Sequence, residues 1–536
     1  MSRRPKAARE RADVDPTGPA AGAVVLPALA GAIASVVVIG FQPDDLFIYL
    51  RMARNVLEGQ GWGFNAGEPI NIASSAIWLL VLTLLGKLFG VSAMVAQLAS
   101  GFASAAGIAG VACLAGRLAG DRRASWAAGL ALAGDAWMGR WFWSGLETGL
   151  GVAVVSWALA LRVSARAGSG RDRAASLLLA VAPLVRPELV LLPVAAIAAS
   201  LLEPSRRSVA RAVSDSVALA LVGLAWSSWA IVAWGSVLPS TVAATGTPGA
   251  AHISVSSAIG RIALVVLSTQ ALAFLAATIL STRWTLRSAS ESETAPGRRE
   301  VVRTIVLFAV LLTAGYAVQH VRVYPRYVLP LTGLIVALGM AGIVSFSRRA
   351  RTRWARAAWI ALVAATLAGN VALSSVLVVP KTRAYARSMR EVIRPLAERL
   401  ARETAPDATI ALPDIGTIGF LTGRRVVDLS GLATPEILPY KRSRRLPDFL
   451  REHRPDVLIG IEPKPRKWSR RLADLPLVEV GVYRFEGMLV LGPELLARWR
   501  ESWRDVSRLD PMYVTVYRVP PAGEPSDGAT AEASAR

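Results

Sequence analysis

The sequence predicts a polytopic α-helical membrane protein with an α/β domain at its carboxyl end, and three observations predict it. Of 536 residues, 53% are hydrophobic and only 18% charged, less charge than a soluble chain of this length carries. Apolar runs of about twenty residues, the length that crosses a bilayer as a helix, recur up to Pro380. Beyond Pro380 the composition changes to short β-type segments separated by polar turns.

Taken in order, residues 1–19 are polar and basic and read as a disordered cytoplasmic amino terminus. Arg3-Arg4 lacks the apolar sequence that follows a twin-arginine export signal, so a positive-inside anchor is the better reading. Residues 20–380 form the transmembrane domain. Its expected spans, about 11 in number, are 22–41, 91–115, 124–140, 146–163, 174–185, 188–202, 213–235, 257–281, 302–319, 327–347 and 357–379. The short pair around Val185-Arg186-Pro187-Glu188 reads either as two tilted helices or as one broken pair.

The apolar stretch 73–90 is decided by charge. If it does not cross, segments 3–11, 117–123, 162–173, 206–211, 283–303 and 348–356 share one side and hold 25 Lys and Arg. The other side then holds seven: Arg51, Arg54, Lys87, Arg140, Arg186, Arg322 and Arg326. Basic residues collect in cytoplasmic loops, so 73–90 is expected at the outer leaflet. Residues 42–90 become a first outer loop with juxtamembrane helices, in which Leu46, Phe47, Leu50 and Val56 fall at helical spacing.

Residues 381–519 are expected to be an extracytoplasmic α/β domain. It opens with an amphipathic helix at 388–404, followed by strands at ATIALP, RRVVDLSG, PDVLIGI, GMLVLG and YVTVYRV. Residues 520–536 are compositionally a disordered tail.

The net charge of +22 is met by these loop anchors and by basic clusters in the tail, and no nucleic-acid partner is needed. The single cysteine, Cys113, lies in an apolar run and excludes an internal disulfide. GTIGF at 416–420 lacks the spacing of a dinucleotide loop, and no Walker sequence occurs.

The informative residues are the polar groups that share the outer face: Asp44 and Asp45, Asp135, Arg140, Glu147, Arg186, Glu188, and the crowded HVRVYPRY loop. Charge at membrane depth is costly, so such groups pair or line a polar cavity. One aspartate of the 44–45 pair would serve as a helix N-cap. An ion-pair network among Glu147, Glu188, Arg186 and Arg140 would be a purely structural account. The alternative is chemistry: a carboxylate acting as general base for a hydroxyl, with arginines holding an anionic leaving group. Asp44 and Asp45 are also of the type that ligates magnesium or calcium, and the metal question stays open at this point.

The stretch DDLFIYLRMARNVLEGQGWGFNAGEPINIASSAIWLLVLTLL resembles the first outer loop of bacterial GT-C-fold glycosyltransferases. SGLETGL at 144–150, LVRPELVLLP at 184–193, WGSVLPSTVA at 234–243, YPRYVLPL at 324–331 and PDIGTIGFLTGRRVVDLSGLATPEI at 413–437 follow in that family's order. Within the group the chain is most similar to the actinobacterial terminal arabinofuranosyltransferases of type B. The serine block NIASSAIW and a shorter carboxyl-terminal domain depart from them.

The resemblance implies a multi-pass plasma-membrane enzyme of GT-C architecture with a cytoplasmic amino terminus. It implies a polyprenyl-phosphate sugar donor, decaprenylphosphoryl arabinofuranose, and a cell-wall glycan acceptor, with no required cofactor. One of Asp44 and Asp45 is then the catalytic base. Arg51, Arg186, Arg322, Arg326, Tyr324 and His320 become donor phosphate or sugar ligands, and Glu147, Glu188, Glu68 and Asp414 acceptor or structural contacts. A polyprenyl-phosphate hexose donor is the nearest alternative, and a lipid-linked-sugar transporter the rival from another class.

Overall fold

The computed structural model describes residues 21–202, 204–241, 254–286, 296–320, 323–349, 352–462, 465–466, 472, 475, 477–488 and 511–520. The segments expected to be disordered, 1–19 and 520–536, lie outside the described residues apart from Pro520, as does the strand expected at GMLVLG apart from Gly487 and Met488.

The first part is a helical bundle. Its helices are α1 (Ala21–Ala34), α2 (Asp44–Leu57), α3 (Ala76–Phe89), α4 (Ala93–Ala119), α5 (Arg122–Ala133), α6 (Ala136–Trp141), α7 (Thr148–Ser164), α8 (Gly170–Val185), α9 (Leu191–Leu201), α10 (Arg206–Trp234), α11 (Val255–Leu286), α12 (Pro296–Val318), α13 (Pro325–Arg349) and α14 (Arg353–Leu373). Among the described residues seven helices are long and apolar enough to cross a membrane, and shorter apolar helices such as α3 and α7 accompany them. The chain is a multi-pass helical membrane protein.

Small residues set the packing. Helices α4 and α7 lie side by side, and a Cβ on Gly149 would fall 2.5 Å from the backbone nitrogen of Ser104. That closeness is what gives two apolar helices dispersion contact in lipid, where no hydrophobic gain drives them together. Helix α13 is the central rod, buried along most of its apolar length, whereas α10 is almost wholly exposed and faces the surroundings.

Two expected spans are broken. The one at 124–140 divides at Asp135, whose carboxylate accepts from the Trp137 and Met138 amides at 3.0 and 2.9 Å and so starts α6. Its other oxygen accepts from Gln270 Nε2, the residue at which α11 kinks. The short pair at 174–202 is a broken helix: α8 ends at Val185, a 3-10 turn runs over Pro187–Val190, and α9 follows.

Helix α14 does not end at the apolar boundary. A π turn at Ser374–Val378 leads into α15 (Val379–Ser388), and a second at Met389–Ile393 leads into α16 (Arg394–Glu403). This continuous rod carries the chain from the bundle to a five-stranded sheet. Its strands are β1 (Thr409–Leu412), β2 (Arg425–Asp428), β3 (Val457–Glu462), β4 (Val478–Phe485) and β5 (Met512–Arg518), in the order β2-β1-β3-β5-β4. β1 pairs parallel with β2 and β3, while β5 pairs antiparallel with β3 and β4. Strand β4 is absent from the sequence expectations because VEVGVYRF lies at an edge, largely exposed, with a register shift at Gly481.

Candidate active site

Helix α2 brings the two adjacent aspartates to the seam between bundle and sheet. It is amphipathic, burying Leu46, Phe47, Leu50 and Ala53, and both acids occupy its first turn, where a helix N-terminus favours negative charge. The two carboxylates then diverge.

Asp44 does cap a helix, but not its own. Its oxygens accept from the backbone amides of Gly416 and Thr417 at 2.7 and 2.8 Å, the start of the short helix α17 (Gly416–Thr422). Tyr385 Oη accepts from the Asp44 amide at 3.3 Å. A Cβ on Gly416 would lie 1.9 Å from the Asp44 carbonyl oxygen, and one on Gly419 2.8 Å from Arg51 Nη1. The glycines of GTIGF therefore let α17 seat against α2. Burial raises the Asp44 carboxyl above its ordinary value, against the lowering effect of the Thr417 and Gly416 amides.

Asp45 is freer. Its Oδ2 accepts from Arg326 Nη2 at 2.5 Å, and 46% of its side chain stays exposed. The Arg326 guanidinium lies 5.2 Å from the ring centroids of both Trp141 and Tyr327. Arg186 also meets Tyr327, 4.6 Å from the same ring. Arg186 donates to Glu147 at 2.5 Å and to Glu188 at 2.6 Å, and Tyr316 donates to Glu188 at 3.1 Å. The charge of Arg186 is thus met twice within the protein. Among the described residues the buried Oε2 of Glu147 has no partner.

Other sequence-predicted residues are placed elsewhere on the seam. Arg51 is buried and donates to the carbonyls of Gly419 and Arg424 at 2.6 and 2.7 Å, stacking on Phe64. Glu68 accepts from Asn65 and pairs with Arg425 at 2.9 Å. Both tie the first loop to the sheet. Tyr324 is 38% exposed and meets Tyr327 edge-on, and His320 takes a positive φ of 53° at the end of α12. Arg322 lies outside the described residues.

Asp414, just past β1, opens onto a cavity of about 50 Å³ that Asp44, Tyr385, Met389 and Phe485 also line. Desolvation by the surrounding walls, with Asp44 and Asp45 nearby, pushes its carboxyl up to about 7. Asp428, at the end of β2, has a turn role: it accepts from the amides of Ser430, Leu432 and Ala433. Trp141 and Tyr385 escaped the sequence reading, since an aromatic within an apolar stretch carries no mark of its contacts.

Among the described residues no group of three or more His, Cys, Asp or Glu is placed to hold a metal ion. The aspartate pair does not supply such a set, because the Asp44 oxygens face two amides and Asp45 faces Arg326.

Solved structures similar in fold cover most of the chain. ArnT from Cupriavidus metallidurans bound to undecaprenyl phosphate superposes with a TM-score of 0.54 at 16% identity, covering 93% of this chain and 98% of that one. Its apo state gives 0.53 at 14%, covering 91% and 97%. The archaeal oligosaccharyltransferase AglB from Archaeoglobus fulgidus, in complex with an inhibitory peptide and a dolichol-phosphate, gives 0.56 at 10%, covering 85% and 71%. The chain has the GT-C fold. In this GT-C chain residues 382–517 match a domain of unknown function, DUF8728, which spans the end of the rod and the sheet. No curated protein matches the chain in sequence.

Proposed function

We propose that the chain is a glycosyltransferase that moves a sugar from a polyprenyl-phosphate donor to a cell-envelope glycan, with Asp45 as general base. The observation that carries this reading is a half-open carboxylate held against Arg326 at one end of a membrane-spanning bundle of GT-C fold. Asp44 is less suited to the role, since both its oxygens already accept amide protons.

In the reaction the acceptor hydroxyl oxygen bonds to the anomeric carbon while its proton passes to the open oxygen of Asp45. The bond from that carbon to the phosphate oxygen breaks, and the electron pair leaves with polyprenyl phosphate. Attack on the face opposite the leaving group inverts the anomeric centre. Cationic side chains near the phosphate stabilise the leaving charge.

A groove of about 370 Å³ lined by Trp62, Trp226, Trp229, Leu80, Leu184, Val222 and Ala225 has the apolar aromatic character that suits an isoprenoid chain. Leu184 places it two residues from Arg186. For the donor sugar, the resemblance to the type B arabinofuranosyltransferases favours decaprenylphosphoryl arabinofuranose, with a polyprenyl-phosphate hexose second. The loop charge bias supports a plasma-membrane orientation with the amino terminus cytoplasmic and the sheet outside.

The test is incubation of the purified full chain with a panel of labelled polyprenyl-phosphate pentoses and hexoses plus acceptor glycan. Transfer from one donor, lost in Asp45→Asn, is expected. Transfer from none, or undiminished transfer by Asp45→Asn, overturns the reading.

A further inference from the structure

Two buried hydrogen-bond donors without an acceptor and one buried guanidinium without a carboxylate gather around one indole. Among the described residues Trp141 Nε1 and Arg326 Nε are buried without a partner. Arg140 is 7% exposed, and among the described residues its guanidinium makes one hydrogen bond, to the neutral hydroxyl of Thr382 at 2.6 Å. It lies 4.3 Å from the Phe41 ring and 5.9 Å from that of Trp141. Arg326 is 5.2 Å from the same indole. No carboxylate pairs with Arg140 among the described residues, in contrast to Arg186 with its two glutamates.

Burying a charge without a partner is unfavourable, and so is leaving a buried donor without an acceptor. Such a cluster persists where a ligand completes it. All the vacant groups are donors and two are cationic, so the ligand is an anion with acceptors pointing several ways. A phosphate monoester or diester has that form, and arginine meets it with paired N–H groups. Because Arg326 also touches Asp45, an oxyanion seated here stands beside the proposed base.

We infer that Arg140, Trp141 and Arg326 form the seat of the donor's phosphate, an inference that rests on the lipid-linked donor proposed above. Arg140 is then a binding residue that its place at the end of an apolar stretch conceals. Arg186 acts instead by positioning Tyr327, whose ring Arg326 also meets.

Farnesyl phosphate is a probe of this seat that carries no sugar. Binding to the full chain in detergent is read as the shift of the thermal unfolding midpoint across a titration, with farnesol as the uncharged control. The wild-type chain should be stabilised by farnesyl phosphate and not by farnesol. Arg140→Gln should weaken binding at least tenfold, Arg140→Lys less, and Trp141→Phe, which removes the N–H and keeps the bulk, several-fold.

Should Arg140→Gln fail to fold, Arg140→Lys and Trp141→Phe still decide. Wild-type affinity in these variants, or equal stabilisation by farnesol, overturns the seat. If farnesyl phosphate binding depends on Arg140 while no sugar is transferred, the seat stands and the transfer reading falls. If sugar is transferred but Arg140→Lys and Trp141→Phe keep the wild-type KM for donor, the reverse holds.

Discussion

Arg326 donates to Asp45 at 2.5 Å across 281 residues of sequence, joining the first turn of α2 to the first turn of α13. The next residue, Asp44, turns to the opposite partner and caps α17. Two neighbours in sequence thus do different work, and substituting each separates the roles. Asp45→Asn is expected to lower transfer by about 10²–10⁴, the usual worth of a general base, with an unchanged melting profile. Asp44→Asn keeps one acceptor oxygen and loses the other. It should lower stability by about 1–2 kcal/mol and reduce transfer less than Asp45→Asn, as melting and radiolabel transfer on the same preparations will show.

Asp414 offers a pH test. Its carboxyl is pushed up to about 7 from 3.8, first by desolvation and then by Asp44 and Asp45. A raised folded-state value means that stability present below pH 4 is lost as the pH rises toward 7. Asp414→Asn should therefore raise the unfolding midpoint relative to wild type at pH 8, and the gain should vanish near pH 4. Its size is of the order of 1 kcal/mol, since the recess keeps some solvent contact. A gain that is flat with pH contradicts the assignment.

Arg51 holds the sheet to the bundle through the carbonyls of Gly419 and Arg424. Lysine cannot reach both in one plane. Arg51→Lys is expected to cost about 2–3 kcal/mol and to open the seam to limited proteolysis. Gly416→Ala should do the same by a different route, because its methyl meets the Asp44 carbonyl.

The Glu147–Arg186–Glu188 cluster is buried. Removing one partner leaves a charge without compensation, and Glu147→Ala should cost about 3–5 kcal/mol. Replacing Glu147, Arg186 and Glu188 together with apolar residues of similar volume should recover most of that stability without recovering transfer. Unfolding midpoints of the single and triple variants check it.

Orientation can be read directly. Cys113 is buried, so Gln60→Cys introduces a single accessible thiol after α2. An impermeant maleimide added to intact cells should label it, and labelling only after lysis would reverse the topology.

Much of the bundle was legible because burial in lipid imposes long apolar runs, and these mark helices such as α4 and α13 without reference to any neighbour. The amphipathic α2 and the strands β1, β2, β3 and β5 were legible for the same reason: their periodicity records which face meets an apolar medium. The break at Asp135 and the edge strand β4 were not, since the first depends on amides two and three residues on, and the second is half-exposed.

The sequence by itself determined a membrane-spanning helical chain, an α/β carboxyl end and the polar residues available for chemistry. Only the tertiary structure decided which acid faces Arg326 and which caps α17, that Arg186 is satisfied by two glutamates, and that Arg140 meets no carboxylate among the described residues. Apolar patterning is a local property of each segment, whereas the pairing of charges depends on distances between residues hundreds of positions apart, which folding alone sets.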